Sequence, residues 1–180
     1  MVYATSDRGA KNKSKKTCYE GIQLIELNYN YSNKFSFLRR ALIFLKFSMK
    51  SCYLVLKEDY DLIYATSTPL TVGIPALVAK FFRGKKFIFE VRDLWPELPK
   101  AMGIINSKIL FESLKILEIN CYKYSDYCIG LSPGIVDGIN KYVSKNKTIL
   151  IPNYSNVDFF KEKNNFSNKK IKLIYAGAFG

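Results

Sequence analysis

Histidine is absent from the 180 residues of this sequence, and only four cysteines are present. Without imidazole, a Ser-His-Asp triad, a Cys-His nucleophile pair and a zinc site that needs histidine are all excluded. No two cysteines form a C-x-x-C pair, so we expect reduced and mostly buried thiols, as in a cytosolic protein. The four are Cys18, Cys52, Cys121 and Cys128.

Long uncharged runs are also scarce. Residues 62–79 carry no charge, and this run is close to the length that crosses a bilayer. It contains Pro69, Gly73 and Pro75, which interrupt a continuous helix. A strand, a turn and a helix therefore explain this run better than a membrane span does.

Acidic residues are few: 15 Asp and Glu stand against 28 Lys and Arg, which gives a formal net charge of +13. A surplus of this size predicts an anionic partner, namely nucleic acid, anionic lipid or a phosphate-bearing substrate. Hydrophobic residues make up 48% of the chain, which excludes a wholly disordered protein. The length fits one domain of ordinary size and is too short for two full ones.

Apolar runs alternate with helical patterns along most of the chain. Short apolar runs without strict alternation are typical of strands that are covered on both faces. We therefore expect an α/β fold, a Rossmann-like parallel sheet with helices on both faces. The predicted strands are residues 2–5, 22–27, 61–66, 86–91, 127–131, 148–151 and 171–176; the predicted helices are 35–57, 69–82, 106–124 and 133–142; residues 6–20 are predicted to be an exposed loop.

The longest predicted helix, residues 35–57, carries two stripes at helical spacing. The first stripe is apolar, and we expect it to be the core face. The second stripe is basic and lies about a quarter turn away, where it suits either an anionic membrane surface or ordinary solvent. The apolar stripe is Leu38, Leu42, Leu45, Met49, Cys52 and Leu56; the basic stripe is Arg39, Lys46, Lys50 and Lys57.

Two strand ends are followed by a hydroxyl residue and a proline. Ser67 and Thr68 precede Pro69, and Ser132 precedes Pro133. This order is typical of a helix N-cap with proline at the first helical position. The free N–H groups of such helix ends favour an anion, although each motif is also explained by capping alone. Parallel strands place these ends at one sheet edge, where α/β proteins bind ligands.

A third strand end carries the most chemistry. After the strand at 86–91 come Arg92, Asp93 and Trp95, which is the only tryptophan of the chain. Asp93 can accept a hydrogen bond from a substrate hydroxyl, Trp95 can stack on a sugar ring, and Arg92 can hold a carboxylate or phosphate. The alternative is structural: an ion pair between Arg92 and Asp93, with Trp95 anchored in the core.

The run from Phe87 to Glu97, with the string Arg-Asp-Leu-Trp-Pro-Glu, resembles the acceptor-domain signature of family 4 glycosyltransferases. It is most similar to the bacterial branch that builds O-antigen and capsule, which includes fucosamine-type transferases. Residues 131–134 and 151–153, followed by 157–160, are similar to the next two landmarks of that family. Residues 174–180 resemble the first strand and glycine loop of the family's second domain.

The resemblance implies one half of a GT-B fold, whose first domain binds an acceptor and whose second binds a nucleotide sugar. It implies a retaining sugar transfer that needs no metal and no other cofactor, from a UDP-linked sugar to a polyprenyl-diphosphate-linked saccharide. Arg92 stands where many members carry histidine, and Asp93 follows it as it does in them. The resemblance makes Asp93 the candidate catalytic residue. The remaining candidates are Arg92, Trp95, Glu97, Ser67, Thr68, Ser132 and Asn153 for substrate and Gly177 and Gly180 for the donor loop.

On this interpretation, residues 1–157 are an incomplete acceptor-binding domain, and residues 158–180 are a linker with the first strand and glycine loop of a truncated donor-binding domain. The family's first strand and its two donor-site glutamates are not found, so we expect no activity from the chain alone. We expect a cytoplasmic protein, peripheral on the inner face of the cell membrane. The alternative is a non-enzymatic basic α/β module that binds nucleic acid or an anionic membrane, but no recognised nucleic-acid motif is present, so we expect no nucleic-acid partner.

Overall fold

The computed structural model of the chain describes residues 2–5, 15–32, 34–155 and 158. Three strands come first along these residues, and from α1 onward helical segments alternate with strands. The strands are β1 (Val2–Thr5), β2 (Lys15–Tyr19), β3 (Ile22–Leu27), β4 (Leu62–Thr66), β5 (Lys86–Val91), β6 (Tyr127–Gly130) and β7 (Thr148–Leu150). The α-helices are α1 (Phe37–Lys57), α2 (Gly73–Arg83), α3 (Glu97–Ala101), α4 (Lys108–Tyr124) and α5 (Pro133–Asn140), with short 3₁₀ helices at Leu70–Val72 and Lys145–Lys147.

The larger sheet has four strands in the order β4-β5-β6-β7, and every neighbouring pair is parallel. Helices connect successive strands and flank the sheet, so the predicted Rossmann-like α/β fold is confirmed. Because all four strands run the same way, their carboxyl ends lie at one edge, as the sequence predicted.

The main core lies on the face of this sheet that carries Phe87 and Phe89, which are 0% and 1% exposed. Tyr122 and Cys121 of α4 pack there, and Ala76 of α2 joins them. Alternate residues of a strand point to opposite faces, so Phe87, Phe89 and the buried Cys128 share this face through their parallel register. The four cysteines are free; Cys121 and Cys128 are buried as expected, whereas Cys18 is exposed.

A smaller sheet has the order β1-β3-β2, with β1 parallel and β2 antiparallel to β3. The prediction of an exposed loop through residue 20 is wrong at its end, because β2 forms a hairpin with β3. Glu20 and Gly21 make the two-residue turn with φ angles of 48° and 81°. Two positive φ angles match the right-handed twist of a hairpin.

The outward and inward faces of α1 differ from the sequence prediction. The residues expected in the core are largely exposed; Leu38 is 74% and Met49 65% exposed. The buried face is instead formed by the small or branched side chains of Ser48, Ser51, Leu54 and Val55. The mispredicted residues are Leu38, Leu42, Leu45, Met49 and Leu56, which are exposed, and Cys52, which is half-buried.

Small side chains explain why this face of α1, and not the apolar stripe, is buried. The hydroxyl of Ser48 donates to the backbone oxygen of Thr71 at 2.9 Å, which requires close approach of α1 to the segment before α2. A leucine at that position does not permit such an approach. On the other side of the same face, Leu54 packs with Ile25 and Leu27 of the smaller sheet. The helix α1 therefore connects the two sheets.

Among the described residues, no helix combines the length and the apolar character needed to cross a membrane. The uncharged run at 62–79 forms β4, a 3₁₀ turn and the first part of α2, as the sequence predicted. The predicted strand at 171–176, the landmark residues 157 and 159–160, and the donor-loop residues Gly177 and Gly180 lie outside the described residues.

Candidate functional site

The ends of β4 and β5 are bonded to each other at the carboxyl edge of the sheet. The backbone N–H of Ser67 donates to the oxygen of Glu90 at 2.8 Å. The N–H of Arg92 donates back to the Ser67 hydroxyl at 3.0 Å. Ser67 is only 3% exposed, so its hydroxyl fixes the two loops and does not face a ligand. The prediction that Ser67 contacts substrate is therefore replaced by a structural role.

Thr68 and Asp93 form the outer part of this edge. The Thr68 hydroxyl donates to a carboxylate oxygen of Asp93 at 3.1 Å. Thr68 has a φ of 148°, which a β-branched residue rarely adopts and which is a form of backbone strain found at functional sites. Thr68 is exposed and Asp93 half-buried, so a hydroxyl and a carboxylate stand side by side at the sheet edge.

The predicted cap before Pro69 is wrong. Neither Ser67 nor Thr68 caps the turn that follows, because their hydroxyls bond to the β5 loop instead. The regular helix α2 begins four residues later, at Gly73. At the next strand end the prediction is confirmed: Ser132 caps α5 by accepting from the N–H of Ile135 at 3.4 Å, with Pro133 at the first turn.

Glu90 is a polar centre that the sequence analysis did not select. Its carboxylate accepts from the hydroxyl of Thr66 at 3.0 Å and from that of Tyr64. Arg92 lies 3.9 Å away from it, so the ion pair forms between Arg92 and Glu90, while Asp93 bonds to Thr68. Burial, and then the hydrogen bond to Glu90, raise the pKa of Tyr64 to about 12.

A signal for Glu90 was present in the sequence. It is a charged residue between Phe89 and Val91, which are both buried, so strand alternation places it on the opposite face. The parallel register then sets it beside Thr66. Recognising it required the register, which the sequence alone does not give.

Trp95 has features of both roles considered for it, the core anchor and the ligand-stacking ring. The ring packs against the main core, yet the residue keeps intermediate exposure. The adjoining Pro96 is buried, and Leu94 contacts α5 at Gly138, where an added Cβ would lie 2.7 Å from a Leu94 methyl carbon. The loop after β5 is therefore anchored to the core by Leu94 and Pro96, while Trp95 remains partly exposed.

Glu97 is directed toward α4 and away from the Thr68–Asp93 pair. Its carboxylate accepts from Lys115, which also donates to Glu118 at 2.7 Å. Tyr122 donates to the other oxygen of Glu118 at 2.5 Å. Glu118 is 1% exposed, and its burial raises the pKa of that carboxyl against the opposing effect of Lys115. Burial alone lowers the pKa of Lys115, but its bonds to Glu118 and Glu97 raise it.

The structure thus brings four of the predicted site residues together and separates others. Ser67, Thr68, Arg92 and Asp93 form one cluster, which we call the β4–β5 edge cluster together with Glu90. Ser132 and the exposed Asn153 follow β6 and β7 along the same edge. Among the described residues, no three His, Cys, Asp or Glu side chains are grouped to hold a metal ion.

A second surface is formed by the exposed side of α1. Leu42, Leu45 and Met49 are 57%, 46% and 65% exposed there. The basic stripe lies beside them, and the Lys50 ammonium sits 4.9 Å from the centre of the Tyr53 ring. We call this surface the α1 outer face; it comprises Leu38, Arg39, Leu42, Leu45, Lys46, Met49, Lys50, Tyr53, Leu56 and Lys57, all of them exposed.

No protein-family model matches the chain, and no curated protein matches it significantly. Its own geometry therefore carries the functional argument. The β4–β5 edge cluster offers the Asp93 carboxylate, the Thr68 hydroxyl and the Arg92 guanidinium beside the partly exposed Trp95, which is a set suited to a hydroxyl-rich or phosphate-bearing ligand. The α1 outer face places bare apolar side chains next to cations, a combination suited to the surface of an anionic bilayer.

Proposed function

We propose that this chain is the acceptor-binding part of a sugar transferase that works at an anionic membrane surface. Its acceptor is a saccharide linked to polyprenyl diphosphate, and a nucleotide-sugar-binding domain supplies the donor. The inner face of the cell membrane in bacterial surface-polysaccharide synthesis is the setting that the family resemblance favours. The proposal rests above all on the β4–β5 edge cluster.

The cluster supports the proposal through its hydrogen-bonding capacity. Asp93 already accepts from the Thr68 hydroxyl, so a sugar hydroxyl can replace or join that donor without rearranging the loop. Arg92 is half-exposed beside it and can contact a diphosphate oxygen. The accessible part of Trp95 offers the apolar face that a pyranose ring needs. Asp93 is the residue that we assign to the acceptor hydroxyl.

The α1 outer face supports the membrane part of the proposal. An exposed apolar stripe is unfavourable in water, by about 25 cal/mol for each Å² that a bilayer would otherwise cover. Lysines near an anionic bilayer contribute about 1 kcal/mol each. A lipid-linked acceptor has to be met at the bilayer surface, so this face and the proposed substrate are consistent with each other.

Vesicle binding tests the membrane part. The full chain is titrated with phosphatidylcholine vesicles that contain about one-quarter phosphatidylglycerol, since anionic lipid supplies the attraction. Changing Lys46 and Lys50 to Glu is expected to weaken binding by roughly thirtyfold or more, which corresponds to about 2 kcal/mol. Equal binding to pure phosphatidylcholine vesicles contradicts the electrostatic part of the proposal.

A matched control variant distinguishes the effect of the α1 outer face on binding from the effect of the total charge. Lys108 and Lys141 are exposed on α4 and after α5, away from α1. Changing both to Glu alters the net charge by the same amount as changing Lys46 and Lys50. Binding is expected to fall far less in this control, and an equal fall would show that α1 is not the contact surface.

A further inference from the structure

The strand β4 lies at an edge of its sheet. Among the described residues, β5 is the only strand with which it pairs. The bond from the Ser67 N–H to Glu90 fixes which backbone groups are used. Because these groups alternate along a parallel strand, the N–H and C=O groups of Tyr64 and Thr66 point away from β5. They form a template for another strand.

A groove of about 460 Å³ runs along this free edge, between β4 and α1. Every residue of β4 lines it, so its length matches a five-residue strand of roughly 17 Å. The remaining walls come from α1, the segment after it and the start of α2. They are Phe47, Ser51, Val55, Asp59, Tyr60, Val72 and Pro75.

The groove differs in charge from the rest of the molecule. None of the described residues that line it is basic, although the whole chain has a net charge of +13. Asp59 is the one charged side chain among these described lining residues, and its carboxylate lies 3.8 Å from Arg83 and 3.9 Å from Lys85. An anionic ligand therefore meets no basic side chain among these described lining residues, whereas an uncharged apolar segment matches their mostly apolar surface. Ser51 adds a buried hydroxyl that has no hydrogen-bond partner.

The surfaces next to the groove are also incompletely covered. Leu62, Tyr64 and Tyr127 lie on the face opposite Phe87 and Phe89, and they are 43%, 48% and 49% exposed. Phe47 lines the groove and also packs with Ile25 and Leu27 of the smaller sheet. A strand placed in the groove would thus continue the larger sheet and contact the helix that joins it to the smaller one.

We infer that this groove binds an extended, uncharged segment of another polypeptide as an additional β-strand on β4. Backbone hydrogen bonds to Tyr64 and Thr66 provide the affinity, and the apolar walls select β-branched side chains. A second copy of this chain suits the groove less well, because each copy carries a formal net charge of +13 and the two would repel each other. A single extended segment enters without that conflict.

Amide hydrogen exchange tests the inference on the full chain. The probe is the blocked peptide acetyl-Gly-Val-Thr-Val-Ile-Thr-Gly-amide; the control peptide has proline in place of both valines, which removes two donors. At a peptide concentration about ten times the dissociation constant, protection of the Tyr64 and Thr66 amides is expected to rise about tenfold. The Ile63 and Ala65 amides, which point toward β5, change little. Unchanged exchange at Tyr64 and Thr66, or equal protection by the proline peptide, overturns the inference.

A pair of variants gives an independent readout. Tyr64→Pro removes the outward N–H but no bond of the β4–β5 ladder, which is the situation in which edge strands accept proline. Tyr64→Val keeps the N–H and removes the same ring. Peptide binding is expected to persist in Tyr64→Val and to be lost in Tyr64→Pro, with the fold of each checked by circular dichroism. Loss in both variants, or protection of Tyr64 that rises with protein concentration in the absence of peptide, contradicts a strand site for another polypeptide.

Discussion

The hydroxyl of Thr68 and the carboxylate of Asp93 lie 3.1 Å apart and join the loops that follow β4 and β5. Both loops are fixed beneath this bond, by Ser67 on one side and by the buried Pro96 on the other. A hydroxyl and a carboxylate held on a rigid support are prepared to exchange one hydrogen bond for a bond to a ligand. This relationship makes the sheet edge, and not the surrounding basic surface, the centre of the proposed acceptor site.

The assignment of the two faces of α1 predicts a contrast in stability. Leu45→Ser is expected to change the free energy of unfolding by less than about 0.5 kcal/mol, because Leu45 is exposed. Leu54→Ala is expected to cost about 2–5 kcal/mol, because Leu54 is 7% exposed and packs against β3. Urea unfolding of both variants measures the difference. If both substitutions lowered the free energy of unfolding equally, the apolar stripe of α1 would have to face the core as well.

The hydrogen-bonded group around Glu118 predicts a second contrast, within one helix. Glu118→Gln weakens the bond from Lys115 and leaves Tyr122 with a poorer acceptor inside the protein. We expect a loss of about 1–3 kcal/mol in unfolding free energy, typical of a buried polar group whose partner is changed. Glu112→Gln on the exposed side of α4 is the control and is expected to be near neutral. Thermal unfolding of the two variants measures this contrast. If Glu118→Gln leaves the unfolding free energy unchanged, the hydrogen-bonded group around Glu118 does not stabilise the fold.

The Asp126 carboxylate predicts part of the acid sensitivity of the protein. Burial raises its pKa, but this is outweighed by Lys80, at 2.8 Å from both oxygens, and by the N–H of Phe87, so the pKa is lowered. A lowered pKa stabilises the fold above the unfolded-state value of 3.8, and this contribution is lost as the pH falls through the folded-state value. Asp126→Asn is therefore expected to destabilise the protein near pH 6 and to differ less from the native chain near pH 3. Urea unfolding at both pH values checks this, and a difference that grows on acidification has the wrong sign.

The close approach of α2 to α4 predicts a coupled pair of substitutions. A Cβ at Gly73 would lie 2.3 Å from the Cys121 sulfur but 3.6 Å from the Cys121 Cβ. Gly73→Ala is therefore expected to cost about 1–3 kcal/mol in the native chain, as overpacked cores do. In a Cys121→Ala background the same substitution is expected to cost little, because only the sulfur is in the way. Equal costs in both backgrounds would show that the two residues are not in contact.

Much of the fold could be predicted from the sequence because the strands carry local signals. The bounds of β3 and β5 coincide with the predicted ones, since each is an apolar run between turn residues. The hairpin strand β2, Lys15–Tyr19, was missed because it begins with three polar residues in a lysine-rich segment and is ordered by its pairing with β3. The short helix α3 was missed because it begins inside a proline-rich loop, where propensity is weak.

Tertiary contacts determine which face of α1 is buried, which the hydrophobic periodicity of the sequence does not. The apolar stripe of α1 was found correctly, but the pattern does not say what the stripe faces. Ser48 and Ser51 form the buried face of α1 because close packing against the segment before α2 requires small side chains. For the same reason the structural alternative considered for this loop, an ion pair between Arg92 and its neighbour Asp93, is not formed, because the strand register places Glu90 beside Arg92. The pairings along the sheet edge are thus properties of two strands and not of one segment.

The central claim is that the β4–β5 edge cluster recognises the sugar of a lipid-linked acceptor, and one comparison tests it most directly. Neutral phosphatidylcholine vesicles carry either a polyprenyl-diphosphate N-acetylhexosamine or the same polyprenyl diphosphate without sugar, and binding of the full chain is measured for both. We expect binding to the sugar-bearing lipid to be tighter by roughly tenfold, which corresponds to about 1.4 kcal/mol, the size of one or two hydrogen bonds. Asp93→Asn is expected to remove this preference, while Asp61→Asn at the opposite end of β4 keeps it. Equal binding of the native chain to the two lipids would contradict the account.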